Sequence, residues 1–148
     1  MPEPINDIVN HPSHYTSGPD LGRLECLDIT RWMPFTLGNA FKYVFRAGKK
    51  DPTRFIEDLQ KARFYLLEWK SLLPWRTTLY HGRAPAEAFL LKTDARQWES
   101  WRYRALRAIV CGNVEEAYDV IEEQIKTAES AADELFHRYL PEDETYDD

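Results

Sequence analysis

From Val114 to Tyr139 apolar and small residues recur at alternating steps of four and three: Val114, Tyr118, Ile121, Ile125, Ala128, Ala132, Leu135 and Tyr139. An α-helix turns once in about 3.6 residues, so this spacing keeps all eight side chains on one stripe, a heptad seam of about three and a half repeats. A helix with such a stripe needs a partner helix to cover it, from the same chain or from a second copy. The expectation is a homo-oligomer contact along this C-terminal helix.

Helical patterns continue upstream. Residues 1–23 hold Pro2, Pro4, Pro12 and Pro19 among turn-forming Gly and Asn, and should be extended or looped. A short helix is expected over about 25–32, closed by Pro34. The next covers about 36–47, with Leu37, Ala40, Phe41, Val44 and Phe45 on its apolar side and Gly48 just past its end. Asp51-Pro52-Thr53 marks a new start. That helix should reach about residue 73, burying Phe55, Ile56, Leu59, Ala62, Leu66 and Trp69, before Pro74 stops it. So few residues separate the two helices that they should pack antiparallel as a hairpin. Residues 74–93 read as an irregular connector, with a strand or loop at 77–80 and a short helix from Pro85. A further helix is expected over 94–111, ended by Gly112-Asn113. The fold class is therefore mainly α: one compact helical domain over 1–140, with an N-terminal loop, a central antiparallel helix hairpin and a long C-terminal amphipathic helix.

Composition narrows the setting. Hydrophobic residues are 43% of the 148, with five Trp, so the chain is globular rather than disordered. No apolar run approaches the roughly 18 residues of a membrane span, and the first residues lack the basic start and apolar core of a signal peptide. Cys26 and Cys111 lack CxxC spacing, which suits a reducing cytoplasm. Of the net charge of −6, five units sit in Glu142, Asp143, Glu144, Asp147 and Asp148, so 141–148 reads as a disordered acidic tail. The opposite extreme is Lys42, Arg46, Lys49 and Lys50, a local cationic cluster with no acid among them. Such a cluster in a near-neutral body suits a small anion better than duplex nucleic acid, which needs a broad basic face. Neither a nucleic-acid nor a membrane partner is expected.

Three clusters carry titratable chemistry. His11-Pro12-Ser13-His14-Tyr15 puts two imidazoles and a phenol in one loop, where imidazole can donate to phosphate or take a proton near pH 7. The plain alternative is a capping loop whose rings fill a helix groove. In the second cluster Asn39, Lys42 and Arg46 share a helix face, beside Tyr43, Lys49 and Lys50. Arginine offers phosphate a bidentate fork and lysine a mobile point charge. A solvated cationic helix end explains Lys49 and Lys50 better than it explains Lys42 and Arg46. The third cluster is Glu57, Asp58, Lys61 and Tyr65. Its carboxylates would hold Mg²⁺ through waters, or they simply pair with Lys61 at helical spacing. Acids at Glu115, Glu116, Asp119, Glu122 and Glu123 resemble, loosely, the Mg²⁺-binding pairs of all-helical nucleoside triphosphate pyrophosphatases. Helix capping and a solvent face account for them more simply. No GxxxxGK[ST], GxGxxG, GxSxG or HExxH occurs.

Taken in order, His11-Pro-Ser-His-Tyr15, Glu25-Cys-Leu-Asp28, Leu37-Gly-Asn-Ala-Phe-Lys-Tyr43, Arg46-Ala-Gly-Lys-Lys50 and Glu57-Asp-Leu-Gln-Lys-Ala62 resemble a small phage-encoded, nucleotide-kinase-like family. Its members carry an HPSHY loop, a GNAxKYxxRAGKK helix and an EDLxKAxxYL helix, and one from a T7-like phage phosphorylates deoxynucleoside monophosphates without a P-loop. The likeness covers roughly residues 8–70. It implies a non-P-loop (deoxy)nucleoside monophosphate kinase acting in the host cytoplasm. Lys42, Arg46 and Asp58 would then be catalytic. His11, His14, Tyr15, Asn39, Tyr43, Lys49, Lys50 and Lys61 would bind the nucleotide, with Tyr15 or Tyr43 stacking its base, and Glu57 and Asp58 would hold Mg²⁺. The alternatives are a nucleotide or cyclic-nucleotide binder without turnover, countering host defence, and a pyrophosphatase using the C-terminal acids.

Overall fold

The structure, a computed structural model, describes residues 25–72 and 83–139. The expectations for 1–23, for the 77–80 strand or loop and for the acidic tail lie outside them. The described residues hold six α-helices: α1 (Cys26–Thr30), α2 (Phe35–Arg46), α3 (Phe55–Ser71), α4 (Arg83–Lys92), α5 (Ser100–Val110) and α6 (Val114–Tyr139). Short 3₁₀ turns at Pro52–Arg54 and Ala95–Gln97 precede α3 and α5. The fold is mainly α, as the periodicity predicts. No helix among the described residues is long and apolar enough to cross a membrane.

Helices α2 and α3 form the antiparallel hairpin at the centre. α2 turns Leu37, Ala40, Phe41, Val44 and Phe45 inward, and α3 answers with Leu59, Ala62, Leu66 and Trp69. Their cross-contacts run in opposite directions along the chain, Arg46 meeting Asp58 and Tyr43 meeting Tyr65. The turn between them depends on Gly48 at φ +74°, where a Cβ would also come within 3.1 Å of the Phe55 ring. Asp51 then accepts from the Thr53 N–H at 2.9 Å and starts the next turn.

Boundaries differ from the sequence reading in several places: the expected irregular connector over 74–93 holds the regular helix α4, which begins at Arg83 rather than Pro85. Pro34 is the residue before α2 rather than only the stop of α1. The helix expected from 94 starts at Ser100, because Asp94 accepts from the Arg96 N–H to close a 3₁₀ turn and Trp98 is extended. That extension lays Trp98 against Phe45, ring centroids 5.2 Å apart, and buries it. Gly112, at φ +77°, ends α5 as expected, and Asn113 caps α6 by accepting from the Glu116 N–H.

Arg102 is the least expected core residue. Only 3% exposed, it sends Nη1 to the Val44 and Phe45 carbonyls at 2.8 and 3.0 Å and Nη2 to the Ala47 carbonyl at 2.9 Å. The last carbonyls of a helix have no intrahelical donors, and here a side chain of α5 supplies them.

The first half of α6 buries Val114, Ala117, Val120, Ile121 and Ile125, packing on α5 and α3, with Arg63 of α3 ion-paired to Glu122. The buried stripe is wider than the seam, since Ala117 and Val120 join it while Tyr118 is half-buried. From Glu129 to Tyr139 every residue is exposed, Leu135, Phe136 and Tyr139 among them. Half of the stripe is thus covered from within the chain and half is bare.

Candidate anion site on the central hairpin

Arg46 is drawn inward by Asp58. Its Nη2 stands 3.3 Å from the Asp58 Oδ1, with the two side chains 12% and 5% exposed. Spacing along α3 suggests Lys61 as the partner of Asp58. Asp58 faces inward, however, and takes the guanidinium offered across the hairpin. Lys61 pairs instead with Glu57 at 3.1 Å, and Glu57 also meets Arg54 at 3.8 Å.

The Arg46 guanidinium, the Lys42 ammonium and the Lys61 ammonium lie 4.6, 4.6 and 5.5 Å from the Tyr43 ring centroid. An aromatic face attracts cations, so one ring gathers three positive charges from two helices. Tyr43 is itself stacked on Tyr65, centroids 5.9 Å apart and planes 7° off parallel. Its ring is engaged, which leaves less room for a base than the sequence reading allowed.

Lys49 belongs to a different setting. Its ammonium rests 4.9 Å from the Phe45 centroid and 4.6 Å from that of Trp98. Burial there, helped by the nearby Arg102 charge, pushes its pKa down to about 8. Lys50 is exposed. At the start of α1, burial pushes the Cys26 thiol up to about 12 against the opposing pull of Lys42, Lys49 and Arg46.

Asn39 is 8% exposed, and its Nδ2 has no hydrogen-bond acceptor among the described residues. With Lys42 it borders a cavity of about 160 Å³ between α1 and α2, walled by Thr30, Met33, Pro34 and Phe35. A second cleft of about 310 Å³ lies between α3 and α6, lined by Leu66, Leu67 and Val114 and by Lys70, Glu115 and Asp119.

The structure brings together Asn39, Lys42, Tyr43, Arg46, Asp58, Lys61 and Tyr65. It separates Glu57 from Asp58, the expected Mg²⁺ pair, by giving each a different cation and a different exposure. Among the described residues no group of three or more His, Cys, Asp or Glu is placed to hold a metal ion. Of the C-terminal acids, Glu116 accepts from the Asn113 amide and Glu122 pairs with Arg63. His11, His14 and Tyr15 lie outside the described residues. Cys26, Trp98 and Arg102 border these cations but had no spacing signal; they reach α2 only through the tertiary fold.

A family model described as a protein of unknown function (DUF3310) matches residues 9–67, less than half of the chain. No curated protein matches, and no solved structure does.

Proposed function

We propose that this chain binds a nucleotide through its phosphate at the cations of α2 and α3, and that it is a non-P-loop (deoxy)nucleoside monophosphate kinase taking phosphate from a nucleoside triphosphate. The observation that carries the reading is the gathering of Lys42, Arg46 and Lys61 about Tyr43, within the stretch whose sequence resembles the kinase-like family. Asp58 orients the Arg46 fork, and a preorganised guanidinium stabilises charge that develops on a transferring phosphoryl group. Lys42 and Lys61 add mobile charge. Mg²⁺ would arrive on the phosphates, with Glu57 as the exposed carboxylate on this face. Incubation with ATP, Mg²⁺ and each deoxynucleoside monophosphate should yield a diphosphate from at least one of them; no diphosphate from any rejects the kinase.

One observation favours the second reading, a binder without turnover. Asp58 is buried against Arg46 and Glu57 is shared between Lys61 and Arg54, so each carboxylate of the face already has cationic partners. Equilibrium binding of a nucleotide that is recovered unchanged decides for it. The proposal includes a cytoplasmic location and self-association through the bare half of α6.

A further inference from the structure

Phe35 opens α2 with its side chain 79% exposed. A single exposed phenyl ring means little by itself, but the neighbours of this one give it a setting. Its ring meets Tyr65 edge to face, centroids 6.4 Å apart, and the exposed Phe64 meets the same tyrosine at 5.2 Å. Tyr65 in turn stacks on Tyr43, the ring that gathers Lys42, Arg46 and Lys61. A continuous row of aromatic rings therefore leads from the cations to Phe35, and Phe35 is the least covered of them. Helical spacing gives the same placement. Phe35, Lys42 and Arg46 stand at i, i+7 and i+11, one stripe of α2, and Phe35 and Lys42 line the same hollow beside α1.

We propose that Phe35 is the platform on which the base of the bound nucleotide stacks, with the phosphate held toward Lys42. The assignment rests on the nucleotide binding proposed above and supplies the base end of that site. Tyr43 is occupied by three cations and by Tyr65, whereas most of Phe35 faces water. Every nucleobase offers a flat π-face whatever its edge carries, so a phenyl ring holds it without a hydrogen-bond donor. The surroundings agree: Met33 and Pro34, beside Phe35 in the hollow, carry no side-chain donor, and proline has no backbone N–H either. The spacing agrees as well. A nucleotide carries its base and its phosphate at opposite ends of one sugar, and two turns of helix, about 10.5 Å of rise, separate the Phe35 and Lys42 backbones. The flexible four-carbon stem of Lys42 adjusts the remaining distance.

The test is equilibrium binding of the full chain to each of the four deoxynucleoside monophosphates and to deoxyribose 5-phosphate, which lacks only the base. Phe35→Ala removes a side chain that lies mostly in water, so the melting temperature should move by no more than a few degrees. It should weaken the tightest-bound nucleotide by roughly 5- to 150-fold, the scale of one lost base stack, toward the affinity of deoxyribose 5-phosphate. Binding of deoxyribose 5-phosphate itself should not change. Phe35→Leu keeps an apolar side chain without a π-face and should lose most of the same affinity. Phe35→Trp should bind at least as tightly as the parent, and its new indole emission should change with a nucleotide but not with deoxyribose 5-phosphate. Lys42→Met should weaken nucleotide binding with Phe35 intact. Nucleotide binding that Phe35→Ala leaves at full strength overturns the platform and spares the nucleotide reading. Parent-like affinity in Phe35→Leu overturns stacking, and a parent chain that binds none of the four nucleotides overturns both.

Discussion

The Arg46 guanidinium and the Asp58 carboxylate meet 3.3 Å apart across the central hairpin, each largely withdrawn from water. Removing one partner of a buried pair strands the other charge, which costs more than the pair contributes. Arg46→Met should destabilise by about 3–5 kcal/mol, and Arg46→Met with Asp58→Leu by clearly less than the sum of the single changes. Urea unfolding of the four proteins measures the coupling. A cost below about 1 kcal/mol for Arg46→Met contradicts a buried pair.

Lys49 gives the fold a pH dependence of definite sign. Its folded pKa is about 8, below the 10.5 of an ordinary lysine, so the unfolded chain holds this proton more tightly. The handicap is complete below about pH 8 and is relieved as pH rises toward 10.5, so this residue makes the fold more stable with increasing pH over that window. Urea midpoints between pH 7.5 and 10.5 should rise less in Lys49→Met than in the parent.

The two cysteines should part company with a thiol reagent. Cys111 is exposed, whereas burial holds the Cys26 thiol protonated up to about pH 12. At pH 8 the native protein should present one reactive thiol and the urea-unfolded protein two. Two rapid equivalents in the native state would show that α1 opens readily.

Asn39→Leu replaces a buried amide lacking an acceptor with an apolar group of similar size. Without added ligand the variant should be more stable than the parent by about 1–2 kcal/mol, because the unsatisfied donor is gone. Thermal unfolding in ligand-free buffer measures it.

The bare half of α6 predicts an asymmetric response to truncation. Ending the chain after Ala128 removes only residues that are exposed among those described, so the melting temperature should move by no more than a few degrees. If a second copy covers Leu135 and Tyr139, the mass seen by light scattering should fall with the same cut.

Local patterns were readable where a helix follows its own apolar spacing and ends on a glycine. Residues 36–47 were expected and Phe35–Arg46 is found, with Gly48 and Gly112 both at positive φ. The face shared by Asn39, Lys42 and Arg46 was readable for the same reason. Cross-helix matters were not. Tyr43 and Tyr65 meet because of hairpin register, and Asp58 chooses Arg46 over the nearer-spaced Lys61 because it points into the hairpin. Trp98 sits in a run that looks helical, yet a 3₁₀ turn and its own burial against Phe45 pull it out of the helix. Arginine within an amphipathic helix reads as surface, and nothing near Arg102 in sequence announces carbonyls 55 to 58 positions upstream.

That long reach bears on where the chain can be cut. The hairpin looks like a self-contained module, short and rich in local contacts, but three of its carbonyls take their donors from outside it. Excised after α3, it would keep its own side chains and still present the Val44, Phe45 and Ala47 carbonyls to a hole where the guanidinium had been. Any attempt to graft the α2–α3 face onto another scaffold must therefore carry α5 along or furnish a substitute donor at that spot.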